Sequence, residues 1–476
     1  MTTTTSAPVH TTGVPTRPAL TSAGLVTVLL GAALPIIDFF IVNVALPTIN
    51  ADLHASTATL ELVVAAYGIA YAVLLVLGGR LGDAFGRRRL FLLGLALFTL
   101  TSLICGLAPD ATTLVLARAA QGAASAMLLP QVLSIIQAGT SGAHRSRALG
   151  YYGATGGIAT VVGQLLGGAL VAADLWGTSW RPIFLVNVPI GLVGLLVARR
   201  TVPDSRATNP LGVDRWGTAL LAASLLTLLV PLMEGSALGW PWWTIVSLAL
   251  FPFAVAAFAR VELRLESRGG MPLLPPALLR TANVRHGLVV AVPFFCGFGS
   301  FMFVYAVTLQ EGLHLGPLAS GLVLTPMAVA YFLTSLVSSR LVARFGRKVV
   351  PFGGIILALG LAVLAGSAWL AWPSLSVWQL APAMVLIGIG NGMAMTTLFR
   401  VVLSRVPHDL AGIGGGVMTT TQQTSLALGV AVFGTLFAGL STGSVGYEGA
   451  FVVVIGVLAV VALVVVGLAR KLPDPR

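Results

Sequence analysis

Fourteen apolar runs, each near the length of a bilayer crossing, follow one another from about residue 22 to residue 469, and charge is confined almost wholly to the gaps between them. A crossing helix needs about 20 apolar residues. Its backbone polar groups must be satisfied within the segment, because lipid offers no partners. Only 9% of the 476 residues are charged and 57% are hydrophobic, whereas a soluble domain carries roughly 25% charged residues. The fold class expected is an all-α polytopic membrane protein, with the lipid bilayer as its main partner.

The gaps alternate in charge. If both termini lie on the inner side, the inner gaps and tails hold 25 of the 27 Lys and Arg residues. The two left over are Arg118, inside the fourth run, and Arg181, at the outer end of the sixth. The opposite gaps are short and mildly acidic, with Asp52, Asp110, Asp174, Glu234, Glu311 and Glu448. One missed run would swap the side of every later gap, so the even count and cytoplasmic termini follow together. The net charge of +12 therefore reads as an orientation signal, and no nucleic-acid partner is expected. Cys105 and Cys296 both fall inside runs, so no disulfide framework is expected, and no residues have metal-ligand or cofactor-binding spacing. Arginine outnumbers lysine 25 to 2, a composition that points to a GC-rich bacterial genome and hence to the cytoplasmic membrane.

Gly78-Gly79-Arg80-Leu81-Gly82-Asp83-Ala84-Phe85-Gly86-Arg87-Arg88-Arg89 interrupts the apolar pattern between the second and third runs. Its charge density predicts a tight turn at the inner membrane surface, outside any core. A partial copy, Arg340-Leu341-Val342-Ala343-Arg344-Phe345-Gly346-Arg347-Lys348, follows the tenth run. One surface turn used twice is the mark of a transporter built by duplication. The offset of eight runs predicts two six-helix halves, 21–200 and 286–470, with two extra membrane helices inserted at 201–261. A disordered tail at 1–20, a cytoplasmic linker at 262–285 that reads as a plain connector, and a tail at 471–476 complete the expected organisation.

These residues resemble the major facilitator superfamily, in its fourteen-span drug:proton antiporter-2 branch. Gly79 to Arg89 is similar to the superfamily's loop 2–3 signature. Asp38 with Ile41-Val42-Asn43-Val44-Ala45-Leu46-Pro47 resembles the helix 1 signature of the branch, Arg118-Ala119-Ala120-Gln121-Gly122 that of helix 4, and Trp180 to Gly191 the start of helix 6. Gly163-Gln164-Leu165-Leu166-Gly167-Gly168 resembles the antiporter signature of helix 5, but with Gln164 where that signature has proline. The resemblance implies the major facilitator fold, two six-helix bundles plus two central helices, and proton-coupled export of drugs.

The residues themselves indicate where the chemistry lies. Asp38 sits well inside the first run, and an ionised carboxylate near mid-bilayer costs about 2.5–3.5 kcal/mol on insertion scales. It must protonate, face water or pair with a cation, and each route makes it a proton-coupling candidate; a permanently paired structural carboxylate is the alternative. Arg118, Gln121, Gly122 and Ser125 share one face of the fourth helix, and the arginine must meet water or an acid, of which Asp38 is one. Asp83, absent from the second copy where Ala343 stands, predicts with Arg87, Gly82 and Gly86 a one-sided conformational latch. Gly153, Gly157, Thr160, Gln164 and Gly167 form a small-residue stripe that suits close helix approach. Gln121, Gln164, Asn43, Asn391 and Gln422 are substrate-cavity candidates, with helix-to-helix hydrogen bonding the competing role. Glu61, near an outer helix end, reads as solvated.

Together these features predict a monomeric secondary transporter exporting a hydrophobic or amphipathic compound by alternating access, with the proton gradient as its energy source and no cofactor. A proton-coupled importer of the same fold is the first alternative. A membrane enzyme or receptor is the second, and it lacks a catalytic cluster, a nucleotide-binding loop or a sizeable soluble domain.

Overall fold

The structure is a computed structural model that describes residues 20–55, 57–206, 214–235, 238–270, 272–406 and 411–474. The described residues are helical, with no strand among them. The membrane helices are α1 (Ser22–Leu53), α2 (Thr57–Phe85), α3 (Arg87–Gly106), α4 (Ala111–Gly139), α5 (Gly142–Ala173), α6 (Asn187–Thr201), α7 (Arg215–Glu234), α8 (Trp242–Ser267), α9 (Ala282–Val307), α10 (Thr325–Phe345), α11 (Val349–Ala371), α12 (Val377–Leu403), α13 (Ala411–Gly429) and α14 (Gly446–Ala469). Short helical turns at Pro182–Leu185 and Pro317–Val323 lead into α6 and α10, and α13 is carried on through a π-turn to Thr435–Ser441. Thirteen helical stretches are long and apolar enough to cross a bilayer. One of them, Ala319–Ala371, has 53 residues, too many for a single crossing. It is two helices folded about Gly346, so the described residues make fourteen crossings.

Polar residues at the membrane edges start these helices. Thr21, Asp110 and Asp214 accept from the backbone N–H groups of Gly24, Thr113 and Gly217 at 3.1, 2.8 and 2.8 Å. Ser376 and Gln379 form a reciprocal capping box at the start of α12. Away from water the outward faces are apolar, with Trp242 and Phe253 on α8 more than two-thirds exposed, as suits side chains that lipid covers.

Two packed units result. The α1–α6 helices enclose clusters around Phe91, Phe98 and Tyr67 and around Trp180 and Phe184. The α9–α14 helices enclose clusters around Tyr305 and Phe451 and around Phe294 and Leu398. The inserted α7 lies along the seam between them: its Leu225 and Leu229 pack with Ala72 and Val73 of α2 and with Ala427 of α13. Helix α8 packs on α7 and reaches α2 through Phe258, which meets Val76 and Leu273.

The basic turn is smaller and drier than its charge density predicts. Helix α2 continues to Phe85, and the reversal is made at Gly86, whose φ of +104° is costly for any residue with a β-carbon. Arg80 and Asp83 are buried, at 1% and 5% exposure. The reason lies about 190 residues away: Arg80 Nη2 donates to the backbone carbonyls of Pro272 and, at 2.9 Å, Leu273. Protein carbonyls take the place of water at that one nitrogen, while Nε and Nη1 have no hydrogen-bond partner among the described residues. The linker is accordingly not a plain connector. It carries the short helix Pro276–Arg280, and Glu262 accepts from Leu274 N at 2.7 Å. In the second copy Arg340 is exposed.

Candidate functional site

Five helices of the N-terminal half bring polar groups to one sealed point. Asp38 of α1 is fully buried, and its Oδ2 accepts from Arg118 Nη1 of α4 at 2.5 Å. Its Oδ1 accepts from Gln121 Nε2 at 2.9 Å and from Asn187 Nδ2 of α6 at 2.8 Å. Arg118, also fully buried, donates through Nη1 to Gln121 Oε1 at 2.7 Å and through Nε to the Val63 carbonyl of α2 at 3.0 Å. Ser102 of α3 accepts from Gln121 Nε2 at 2.8 Å, and the Cys105 thiol lies 3.6 Å from Gln121 Oε1. The Tyr67 ring of α2 covers the guanidinium at 4.3 Å, with its hydroxyl 3.0 Å from the Pro35 carbonyl and 2.8 Å from Ser125 Oγ. A buried pair held by this many hydrogen bonds is stable only while all the partners are present.

Local sequence explains how the pair forms. Arg118 and Gln121 are three residues apart and so share a helix face. Gly122, beside them, lets α4 approach α2: a β-carbon there would lie 2.2 Å from the Tyr67 carbonyl oxygen. That contact sets Tyr67 over Arg118.

A cavity of about 840 Å³ lies between the two halves. Its membrane-centre end is lined by Pro35, Phe39 and Phe40 of α1, Tyr67 and Tyr71 of α2 and Met327 of α10. It runs to the arginine-bearing face, where Arg147 and Arg340, both exposed, form part of its lining. On the opposite side the halves touch. A β-carbon on Gly321 would lie 3.5 Å from the Gln164 carbonyl oxygen, and Phe40 packs into the Tyr305–Phe451 cluster. The cavity is therefore open toward the basic face and closed toward the acidic one. Tyr67 is shared: its ring lines the cavity on one side and covers Arg118 on the other.

The sequence candidates separate into three places. Asp38, Arg118 and Gln121 form the sealed network, so Gln121 is not a cavity residue. Asn391 and Gln422 line the cavity, and the Asn391 side chain, 4% exposed, has no hydrogen-bond partner for its Oδ1 among the described residues. Gln164 is buried outside the cavity, where α5 meets the turn leading into α10. The side chains of Asn43 and Glu61 lie outside the described residues. Asp83 pairs with Arg87 at 3.0 Å, one helical turn apart across Gly86. Gly82 abuts Gln131 of α4: a β-carbon there would lie 1.9 Å from Gln131 Oε1, whose amide donates to the Gly78 carbonyl at 2.8 Å. The small-residue stripe of α5 serves two contacts: Gly153, Gly157 and Thr160 line the cavity, while Gly167 abuts Ile41 of α1. Sequence reasoning missed Asn187, Ser102 and Tyr67. Asn187 carried a usable signal, a lone amide following Phe184-Leu185-Val186; the other two are ordinary residues for a membrane helix.

Two helical bundles around a central cavity, with a buried acid–base pair in one of them, define a secondary transporter of the alternating-access type. The Major Facilitator Superfamily model matches residues 28–430, and the chain belongs to that superfamily. It is 36% identical over 415 residues to the "Probable actinorhodin transporter" of Streptomyces coelicolor, covering 87% of this chain and 72% of that one. It is 34% identical over 481 residues to the "Cephamycin export protein CmcT" of Amycolatopsis lactamdurans, covering 97% and 96%. The fold is also that of a POT family transporter solved with a thioalcohol conjugated peptide, with a TM-score of 0.67, 15% identity and coverage of 96% and 98%.

Proposed function

We propose that the protein is a proton-driven exporter of hydrophobic or amphipathic natural products, antibiotics among them. It loads its substrate from the cytoplasm or inner leaflet of a bacterial cytoplasmic membrane, with both termini in the cytoplasm, and works as a monomer. The observation that carries this reading is the division of labour around Tyr67. A large cavity open to the basic face lies on one side of the ring, and the sealed Asp38–Arg118 pair lies on the other. An acid shut off from water is tolerated as an ion only while a cation pairs with it; when the pair loosens, it needs a proton. Asp38, Tyr67, Arg118 and Gly122 all belong to the N-terminal half, so the step that parts Arg118 from Asp38 is a shift of α1, α2 and α4 against one another within that half as the cavity changes sides. In this scheme proton uptake from outside accompanies substrate release, and proton loss inside restores the pair seen here. Asp83 and Arg87 act at the opposite end of α2 as the latch on the cytoplasmic side. The names of the actinorhodin and cephamycin relatives support an exported natural product.

The test is uptake of a lipophilic dye and antibiotic panel into energised everted vesicles. Uptake that collapses with an uncoupler and is lost in Asp38→Asn supports the reading. Normal coupled uptake in Asp38→Asn removes Asp38 from the proton path.

A further inference from the structure

The charges that line the cavity are all of one sign. Arg145, Arg147, Arg340 and Arg400 contribute to its wall, and no Asp or Glu does so among the described residues. Basic residues at an inner membrane face are ordinary orientation signals, and Arg147 and Arg340, exposed at the mouth, need no further explanation. Arg145 is committed locally: it donates to the carbonyls of Gln137 and Thr140 at the end of α4, at 2.8 to 3.0 Å. Arg400 is different. It stands in the last turn of α12, at the basic end of the cavity, yet it is half-buried, lines the cavity, and has no hydrogen-bond or ionic partner among the described residues. A guanidinium in such a place favours a ligand anion, for which its fork of donors is well shaped. Phe399 adjoins it in sequence, and toward the membrane centre the cavity wall is aromatic on both sides, with Phe39, Tyr67 and Tyr71 from one half and Phe298 and Tyr331 from the other. Asn391 adds an unpaired amide oxygen. Among the described residues the one buried carboxylate near the cavity, Asp38, is sealed behind Tyr67 and already neutralised by Arg118. A cationic drug would therefore find no counter-charge here, only four like charges.

We propose that the cavity selects a flat aromatic anion, a ring system bearing a carboxylate, sulfonate or acidic phenol, with Arg400 as its anchor and Arg147 and Arg340 steering it to the mouth. The proposal rests on the exporter reading and names the substrate of that same cavity. It also fixes the electrical sign of the cycle. Export of a monoanion against entry of one proton moves two charges, both in the direction that an inside-negative potential drives. A neutral substrate moves one charge and a monocation none.

Three probes on one scaffold separate the classes: 9-anthracenecarboxylate, 9-anthracenemethanol and 9-(aminomethyl)anthracene. Binding to the purified full chain is read by anthracene fluorescence, and transport by uptake into energised everted vesicles. The carboxylate is expected to bind most tightly, and less tightly as salt is raised. Arg400→Gln is expected to weaken the carboxylate roughly ten- to a hundredfold, the worth of one charge-assisted hydrogen bond, while leaving the alcohol unchanged. Arg340→Gln, at the exposed mouth, is expected to slow carboxylate association and flatten its salt dependence. Equal or tighter binding of the ammonium, equal weakening of all three probes by Arg400→Gln, or binding of none of them overturns the proposal. Carboxylate binding without gradient-driven uptake refutes the exporter reading and leaves the ligand class. Preferred uptake of the ammonium or the alcohol refutes the ligand class and leaves export.

Discussion

Replacing Asp38 by Asn probes the sealed network most directly, because three donors converge on an acceptor-only group. Oδ1 accepts from Gln121 and Asn187, at 2.9 and 2.8 Å, and Oδ2 from Arg118 at 2.5 Å. Asparagine offers one acceptor oxygen and one donor NH2. With its oxygen toward the two amides, the NH2 faces Arg118. With its oxygen toward Arg118, the NH2 faces both amides. Gln121 cannot relieve the clash by turning over, since Arg118 holds its Oε1 at 2.7 Å. Either orientation sets donor against donor and leaves a fully buried guanidinium without a counter-charge. Breaking a buried pair in this way costs about 3–5 kcal/mol. Arg118 keeps the Val63 carbonyl at 3.0 Å and Gln121 Oε1, which places the expected loss at the lower end of that range, about 3 kcal/mol. The double variant Asp38→Asn/Arg118→Gln removes both charges and is expected to regain at least half of that, about 1.5 kcal/mol, so the two single losses together exceed the double loss by more than this amount. Reversible SDS unfolding of the purified protein in mixed micelles, followed by circular dichroism, measures the cycle. Additivity within about 0.5 kcal/mol, or an Asp38→Asn single variant as stable as the parent, would refute the pairing.

Two further outcomes follow from the ends of the helices. Hydrogen bonds from Arg181, at 2.7 Å, and from the Trp180 indole, at 2.9 Å, hold the Asp52 carboxyl below its usual range. A depressed carboxylate contributes stability above its unfolded value of about 3.9 and loses it as pH falls through the lower folded value. Asp52→Asn is thus expected to be slightly less stable than the parent at neutral pH, with the gap in apparent melting temperature closing below about pH 4. The effect is small because the pair is about one-third exposed. A gap that widens in acid would contradict the assignment. For the latch proposed at Asp83 and Arg87, Asp83→Asn removes the 3.0 Å bridge. Its expected effect is a several-fold fall in vesicle-uptake kcat with KM kept, since neither residue lines the cavity; unchanged kcat would remove the latch role.

Much of the architecture could be read from the chain. The number of crossings and the segregation of basic from acidic loops are set by rules that act locally. Lipid demands a minimum apolar length, and it excludes charge from each run in turn. The same logic marked Asp38 and Arg118, because an ionisable group inside a run has few ways to exist there. The resemblance in the motifs pointed to the superfamily that the fold and the comparisons establish.

Only tertiary structure decided what each polar residue does. Gln121 and Asn391 are alike as amides in apolar helices, yet one is sealed in the ion-pair network and the other lines the cavity. Helix rotation separates them, and rotation is set by packing, as where Gly122 admits the Tyr67 backbone. Asn187 reaches Asp38 across 149 residues of sequence, and Arg80 is buried by carbonyls that follow it by 192 and 193. Local periodicity places a residue on a helix and on a side of the membrane; it carries no information about which distant element will supply its partner. Burial of Arg80, the sealing of Asp38 behind Tyr67 and the single sign of the cavity's charge are all consequences of such non-local contacts.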